Sequence, residues 1–322
     1  MLSKVEAIDR INDLSSNHIP FLFISDFKSE NNEVLIMEEI DPKQILYQIN
    51  GYGNVSKVED GEVSTQLIKS PMSFDAYQHK FDAVMGHLEK GNAYLLNLTC
   101  PTPVVGSCSL KDIFHQSTAK YKLWYKGQFV VFSPEIFVQI KDGQITSHPM
   151  KGTIDASIPN AENILLSSDK EMAEHATIVD LIRNDMSIHA DHVMVEQFRY
   201  VDEIRTNHKH LLQVSSKITG QLKEGYQLGE VIFSLLPAGS ITGAPKPRTL
   251  EIISEVEGYE RGFYTGVVGY FDGNNFDSGV MIRFIEQQGE QWIYKSGGGI
   301  HSLSNAASEY QEMIDKVYVP IY

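Results

Sequence analysis

Lys151 lies in the segment His148-Pro149-Met150-Lys151-Gly152-Thr153, directly after a predicted strand. A lysine is a nucleophile only as the neutral amine, and burial lowers its pKa toward that state. Local sequence leaves a second reading, an ordinary surface cation. Two Glu-x-x-Glu pairs, Glu171/Glu174 and Glu309/Glu312, lie on two predicted helices. A spacing of three puts both carboxylates on one helix face. If the two faces meet, four carboxylates gather, a donor set suited to a hard cation such as Mg²⁺. Acids near helix N-termini are also favoured as solvated charges, so spacing alone leaves both readings open. Arg283 interrupts the apolar run Val280-Met281-Ile282-Arg283-Phe284-Ile285. It either points inward to bind a carboxylate through its fork or sits on a wet face. Ser296-Gly297-Gly298-Gly299 either lets the backbone approach a ligand or makes a sharp bend. Gly239 to Lys246 looks like a phosphate loop but fails the pattern: Lys246 follows Pro245, and no Ser or Thr comes after it. It remains either an anion-holding turn or a tight turn into a Pro-started helix. His208 and His210 flank Lys209 without metal spacing, and His175 and His189 read as structural.

The elements that must position these groups are legible in outline. Residues 1–70 read as short strands and a helix. Ser73 caps a helix carrying Tyr77, Phe81, Val84, Met85 and Leu88, ended by Gly91. Strand-like runs follow at Tyr94 to Thr99, Lys122 to Tyr125 and Phe129 to Phe132. Glu135 to Ile140, Asp142-Gly143 and Gln144 to His148 form a hairpin. A three-residue loop would set Glu135 opposite Lys151, with Cβ atoms about 5 Å apart. A two-residue loop would set Lys151 against Pro134 and turn Glu135 away. Ser168-Asp169-Lys170-Glu171 is a capping box for a helix reaching Met186, with Met172, Val179, Ile182 and Met186 as its apolar stripe. A helix near Pro247 carries Leu250, Ile253 and Val256. Tyr264 to Phe271, Gly279 to Glu286 and Gln291 to Ser296 alternate as antiparallel strands, and a last helix runs from Ser304 to Val317. Strands cluster without a βαβ rhythm. The expected class is therefore α+β, with large antiparallel sheets and flanking helices in one compact unit.

Bulk properties narrow the partners. The 322 residues carry a net charge of −15, and Lys and Arg never run beyond pairs, which argues against nucleic acid and anionic membrane. Local cations and a metal can still reverse the field in a cleft, so an anionic small substrate stays open. Two cysteines, Cys100 and Cys108, read as thiols of a reducing compartment. Residues Met1 to Arg10 lack a signal-peptide pattern, and Ile19 to Ile24 is too short an apolar stretch to span a bilayer. The cytoplasm is the expected location.

Taken in order, these segments do more. Pro-Met-Lys-Gly-Thr, Glu-Met-Ala-Glu-His…Val-Asp-Leu-Ile-Arg-Asn-Asp, Gly-Ser-Ile-Thr-Gly-Ala-Pro-Lys, Tyr-Thr-Gly-Val-Val-Gly-Tyr, Ile-Arg, Gly-Gly-Gly-Ile and Ser-Glu-Tyr-Gln-Glu together resemble the chorismate-utilising enzymes. That family includes the anthranilate, aminodeoxychorismate, isochorismate and salicylate synthases. The resemblance covers residues 72–322 as a chorismate-binding catalytic domain; residues 1–71 are a short variable part of the same unit. It implies the family's fold, two large antiparallel sheets packed as a sandwich with flanking helices.

Lys151 points to one branch. Anthranilate and isochorismate synthases carry Ala there, whereas aminodeoxychorismate synthases carry Lys in Pro-Ile-Lys-Gly-Thr; Met150 replaces the Ile. The resemblance implies that Lys151 adds to C2 of the chorismate ring, that ammonia then attacks C4, and that 4-amino-4-deoxychorismate forms for 4-aminobenzoate and folate synthesis. It also implies Glu135 as the acid for the leaving hydroxyl and Mg²⁺ as cofactor. Glu174 and Glu312 would be direct ligands, and Glu171 and Glu309 would reach the metal through water. Arg283 and Tyr264 would bind the enolpyruvyl carboxylate, with Gly152, Thr153, Ser240, Gly297, Gly298, Gly299 and Lys316 lining the same site. Anthranilate synthases place a His before Leu-Val-Ser where this chain has Gln213, unless the alignment slips toward His210. No amidotransferase motif with a nucleophilic Cys is seen, so glutamine-dependent activity implies a separate amidotransferase subunit. Anthranilate synthase component I is the alternative within enzymes, and a non-catalytic chorismate-binding relative the alternative outside them.

Overall fold

The computed structural model describes residues 1–55, 67–205 and 210–320. Two sheets dominate. The first runs through Met150–Asp155, His210–Leu222, Gln144–Ser147, Ile136–Lys141, Phe276–Val280, Val267–Phe271, Phe21–Ser25 and Asn32–Ile36, with Ala190–Arg205 also paired to His210–Leu222. The second runs through Gly243–Ala244, Leu95–Gly106, Gln291–His301, Phe284–Gln288, Phe129–Ser133, Tyr121–Tyr125, Ile45–Ile49 and Tyr52–Gly53, with Leu67–Lys69 added beside Leu95–Gly106. The pairings of both sheets are antiparallel. The chain is α+β, as its strand clustering implies.

Alternation along the strands builds the layers. Leu22, Ile24 and Val268 of the first sheet pack with Tyr47, Leu123, Val131 and Phe284 of the second. The opposite pleat faces take helices. Phe21 and Phe23 join the cluster that holds Ile11 and Leu14 of helix Lys4–Ser16 and Phe233 of helix Leu228–Leu235. On the second sheet, Trp124, Val130 and Phe132 pack with Ile113 and Phe114 of helix Leu110–Gln116.

Three local outcomes matter for the site. The hairpin closes through two residues, Asp142 (φ +51°) and Gly143 (φ +75°), the twist-matched turn that needs two positive φ values. Gln144 pairs Lys141 and Thr146 pairs Gln139. Strand Ile136–Lys141 begins only at Ile136, so Glu135 lies outside it and the alternation of the pleat does not turn it away. After His148-Pro149, Met150–Asp155 continues along His210–Leu222 in the register already set by Gln144–Ser147: Ser147 faces Ile218 and Met150 faces Ser215.

The expected strand from Gly279 to Glu286 is two strands, Phe276–Val280 in the first sheet and Phe284–Gln288 in the second. The chain changes sheets between them, and Arg283 takes φ +52° at the break. The helix after Ser168 is Asp169–Ser187, capped by Ser168 Oγ accepting from Glu171 N. Of the expected stripe, Val179 and Met186 lie in the core and the partly buried Ile182 packs against it, but Met172 does not. Met172 is exposed, while Glu174, His175, Ile178, Val179 and Met186 are buried. Among the other expected helices, Phe74–Glu89 has its Ser73 cap and Ala306–Asp315 is capped by Asn305 rather than Ser304.

Candidate active site

The site forms where strand Met150–Asp155, helix Asp169–Ser187, strand Gln291–His301 and helix Ala306–Asp315 converge. The pairing register shifts between Lys151 and Thr153, and Gly152 takes φ +74°. Lys151 is mostly buried, and its Nζ lies 2.5 Å from Glu174 Oε1. Burial pulls this amine down. Glu174, with Glu135 and Glu312 further out, more than offsets it, and the pKa stands above an ordinary lysine's. The depressed amine expected from burial alone is thus not what the structure holds. Carboxylates surround it, and the resting group is an ammonium.

The three glycines run as continuous strand, Gly297 facing Thr99, Gly298 facing Leu98 and Gly299 facing Asn97. They serve close approach, not a bend. A Cβ on Gly299 would overlap Glu174 Oε1 and stand 3.1 Å from Lys151 Nζ. One on Gly298 would stand 3.4 Å from Glu312 Oε1 and 3.5 Å from Glu309 Oε2. One on Gly152 would lie 3.0 Å from Glu171 Oε2. A methyl group at 299 must push the buried Glu174 carboxylate aside. Since a misplacement of about 1 Å can cost about 10²-fold in rate, Gly299→Ala is expected to lower kcat/KM by about that factor. Circular dichroism and thermal melting would check that the fold is retained.

The two Glu-x-x-Glu pairs therefore face one another across these glycines. Glu174 and Glu309 are buried, and Ser304 Oγ donates to Glu309 Oε1 at 2.8 Å. Lys316 Nζ pairs with Glu312 Oε1 at 2.6 Å and donates to Gly297 O at 2.8 Å. Among the described residues no three acidic, histidine or cysteine groups are close enough together to hold an ion as they stand. Lys151 and Lys316 each engage one of the four carboxylates instead. The donor set is all hard oxygen, two of its carboxylates are buried, and they converge where the backbone carries no side chain. It fits Mg²⁺ in chemistry and charge.

Glu135, which precedes its strand, is buried and accepts a hydrogen bond from Ser240 Oγ. Burial raises its pKa, against the Ser240 bond and the charges of Lys151, Lys316 and Arg283. Glu135 and Lys151 thus meet by a route the hairpin does not provide. Ser240, expected to line the substrate, gives its hydroxyl to Glu135; it lies in the turn Gly239–Ile241. The rest of that loop is a tight turn into helix Lys246–Glu257, where Lys246 Nζ pairs with Asp185 Oδ2 at 2.6 Å. Arg283 is partly buried, its guanidinium 5.1 Å from the Tyr318 ring and its Nε buried without a hydrogen-bond partner. A buried, unused donor suits the carboxylate-binding reading better than the wet face. Tyr264 is buried between the sheets, 5.8 Å from the Phe284 ring, and Arg283 is among the charges acting on its phenol.

Lys151, Glu135, Gly152, Ser240, Arg283, Gly297, Gly298, Gly299, Lys316 and the four glutamates are all parts of one charged region, with Tyr264 at its inter-sheet side. Thr153 pairs Gln213 through the backbone; its side chain, like that of His210, lies outside the described residues. His175 is structural, with Nε2 2.6 Å from Ser216 Oγ. The Asp185–Lys246 pair lies beside the site and was missed. Its two residues are 61 apart in sequence, and only their recurrence within the two quoted motifs set them apart.

The chain belongs to the chorismate binding enzyme family, which matches residues 24–321. It is 48% identical over 316 residues to an uncharacterized PabA-like protein of Haemophilus influenzae, covering 98% of this chain and 96% of that one. It is 30% identical over 264 residues to aminodeoxychorismate synthase component 1 of Bacillus subtilis, covering 77% of this chain and 55% of that enzyme. The fold superposes on anthranilate synthase component I of Streptococcus pneumoniae with a TM-score of 0.69 at 27% identity, over 80% of this chain and 60% of that one.

Proposed function

We propose that this chain is component I of an aminodeoxychorismate synthase, converting chorismate and ammonia to 4-amino-4-deoxychorismate and water. One observation carries the reading: a lysine, Lys151, stands at the centre of the site with its Nζ on Glu174 Oε1, beside the bare backbone of Gly299. The Bacillus subtilis relative is a synthase of this kind.

In the proposed reaction the Lys151 amine, once it has given up its proton, adds to ring C2. The ring double bonds shift, and the C4 hydroxyl departs as water with the proton of Glu135. Burial keeps that carboxyl protonated to higher pH than an exposed one. Ammonia then bonds to C4, the double bonds return, and Lys151 leaves C2 as the amine. Arg283 holds the enolpyruvyl carboxylate with its unused Nε, supported by Tyr264. Gly152, Thr153 and Gly297 to Gly299 give the ring backbone contact, and Ser240 orients Glu135. Mg²⁺, held by Glu174 and Glu312 with Glu171 and Glu309 through water, would neutralise the ring carboxylate and fix the ring. Glutamine-derived ammonia would come from a separate amidotransferase subunit. No helix among the described residues is long and apolar enough to cross a membrane, and no disulfide joins Cys100 and Cys108; a cytoplasmic enzyme fits both.

Incubation with chorismate, Mg²⁺ and ammonium salt tests the branch. Aminodeoxychorismate is expected, seen as 4-aminobenzoate only after a lyase is added. Fluorescent anthranilate as the main product, without a lyase, would overturn the assignment in favour of anthranilate synthase. The metal site has its own test. Glu174→Gln and Glu312→Gln are each expected to raise the Mg²⁺ concentration for half-maximal rate by at least about tenfold, the low end of what even outer-shell changes cost. An unchanged titration would show that these carboxylates do not bind the ion.

A further inference from the structure

Beside Glu135 lies a cavity of about 20 Å³, which is room for one water. Its lining combines apolar groups such as Val138, Ala238 and Val280 with four polar residues: Glu135, Ser147, Ser240 and Asp185. Both hydroxyls are already spent as donors, Ser147 Oγ to Phe137 O at 2.9 Å and Ser240 Oγ to Glu135, so each can still accept. Asp185 is at the outer end of this arrangement. Its side chain keeps 20% of its surface exposed and is fixed by Lys246, whose Nζ also donates to Leu235 O at 3.1 Å.

We propose that a water in this cavity joins Glu135 to Asp185 and forms the path by which Glu135 regains its proton after each turnover. The inference rests on the proposed role of Glu135 as acid. Glu135 is buried, so the proton it gives to the departing hydroxyl must be replaced from within the protein. Substrate covers the Lys151 side, where Lys151, Lys316 and Arg283 are the charges acting on Glu135. The cavity, lined by Glu135 and Asp185 but by none of those three cations, offers a separate approach. The transfer involves no redox change. Asp185, protonated from solvent, passes its proton to the water, the water passes one of its own to the Glu135 carboxylate, and Asp185 is left as the carboxylate paired with Lys246. Asp185 touches no reacting atom; it is a relay residue, and Lys246 positions it.

The test follows chorismate consumption by the full chain in H₂O and D₂O. Asp185→Asn is expected to lower kcat at least about tenfold with KM for chorismate unchanged, and to raise the solvent isotope effect on kcat, because a proton transfer becomes rate-limiting. Ala238→Val, which fills the cavity and leaves Asp185 in place, is expected to do the same. A wild-type isotope effect in both variants would overturn the relay. That holds even if kcat falls, because a merely structural Asp185 would lower rate or stability without isolating a proton step. The product formed by the unmodified protein is scored separately. Anthranilate there would sink the branch assignment and leave the relay result readable, since both rest on loss of the same hydroxyl.

Discussion

Replacing Lys151 with alanine is expected to lower aminodeoxychorismate formation by at least about 10³-fold, because losing a covalent nucleophile leaves only positioning and electrostatic contributions. The chorismate site should survive. Lys151→Ala removes one cation from the carboxylate cluster but leaves Arg283, Lys316 and the glycine backbone in place. Binding of chorismate, measured by calorimetry with Mg²⁺ present, is therefore expected to change far less than turnover. A Lys151→Ala protein that still makes aminodeoxychorismate at the wild-type rate would remove the covalent mechanism.

Glu135→Gln is expected to cost about 10²–10⁴-fold in kcat, the range for a positioned general acid. A glutamine keeps the size and can still accept from Ser240 Oγ, but it has no acidic proton to give. The sign of the pH dependence follows from the direction of the shift. Burial raises the pKa of Glu135, so the protonated, active form persists above the usual carboxylic-acid range and is lost as pH rises through that raised value. The wild-type rate should fall on that alkaline limb, and the residual rate of Glu135→Gln should lack it. A variant with the same limb would mean that another group supplies the proton.

Much of this site was legible in sequence because its parts are local. Each Glu-x-x-Glu pair defines one helix face, and Gly297 to Gly299 announce a bare stretch of backbone. Asp142-Gly143 marks the turn, though its two positive φ values were needed to choose the two-residue loop over the three-residue one. What sequence left open was tertiary. The hairpin register says nothing of Glu135, since its strand starts one residue later and Ser240, from a distant loop, holds the carboxyl. Met172 looked apolar enough to be buried. The helix instead turns Glu174 inward, because Lys151 and the cleft at Gly299 accommodate a charge there. Arg283 looked like a strand interior; the switch between sheets at its left-handed backbone depends on both sheets being present. The state of Lys151 was the largest change. Burial alone predicts a depressed amine, and only the structure brings Glu174, Glu135 and Glu312 close enough to reverse the sign.

That reversal sharpens the central claim, because an ammonium clamped by Glu174 must be released before it can attack carbon. The most direct measurement is intact-protein mass spectrometry after acid quench of the chain with chorismate and Mg²⁺ in the absence of ammonia. The account predicts a mass increase of one chorismate less one water, mapped by peptide digestion to Lys151 and missing from Lys151→Ala. Unmodified protein under these conditions, from a sample that forms aminodeoxychorismate once ammonia is added, would contradict it.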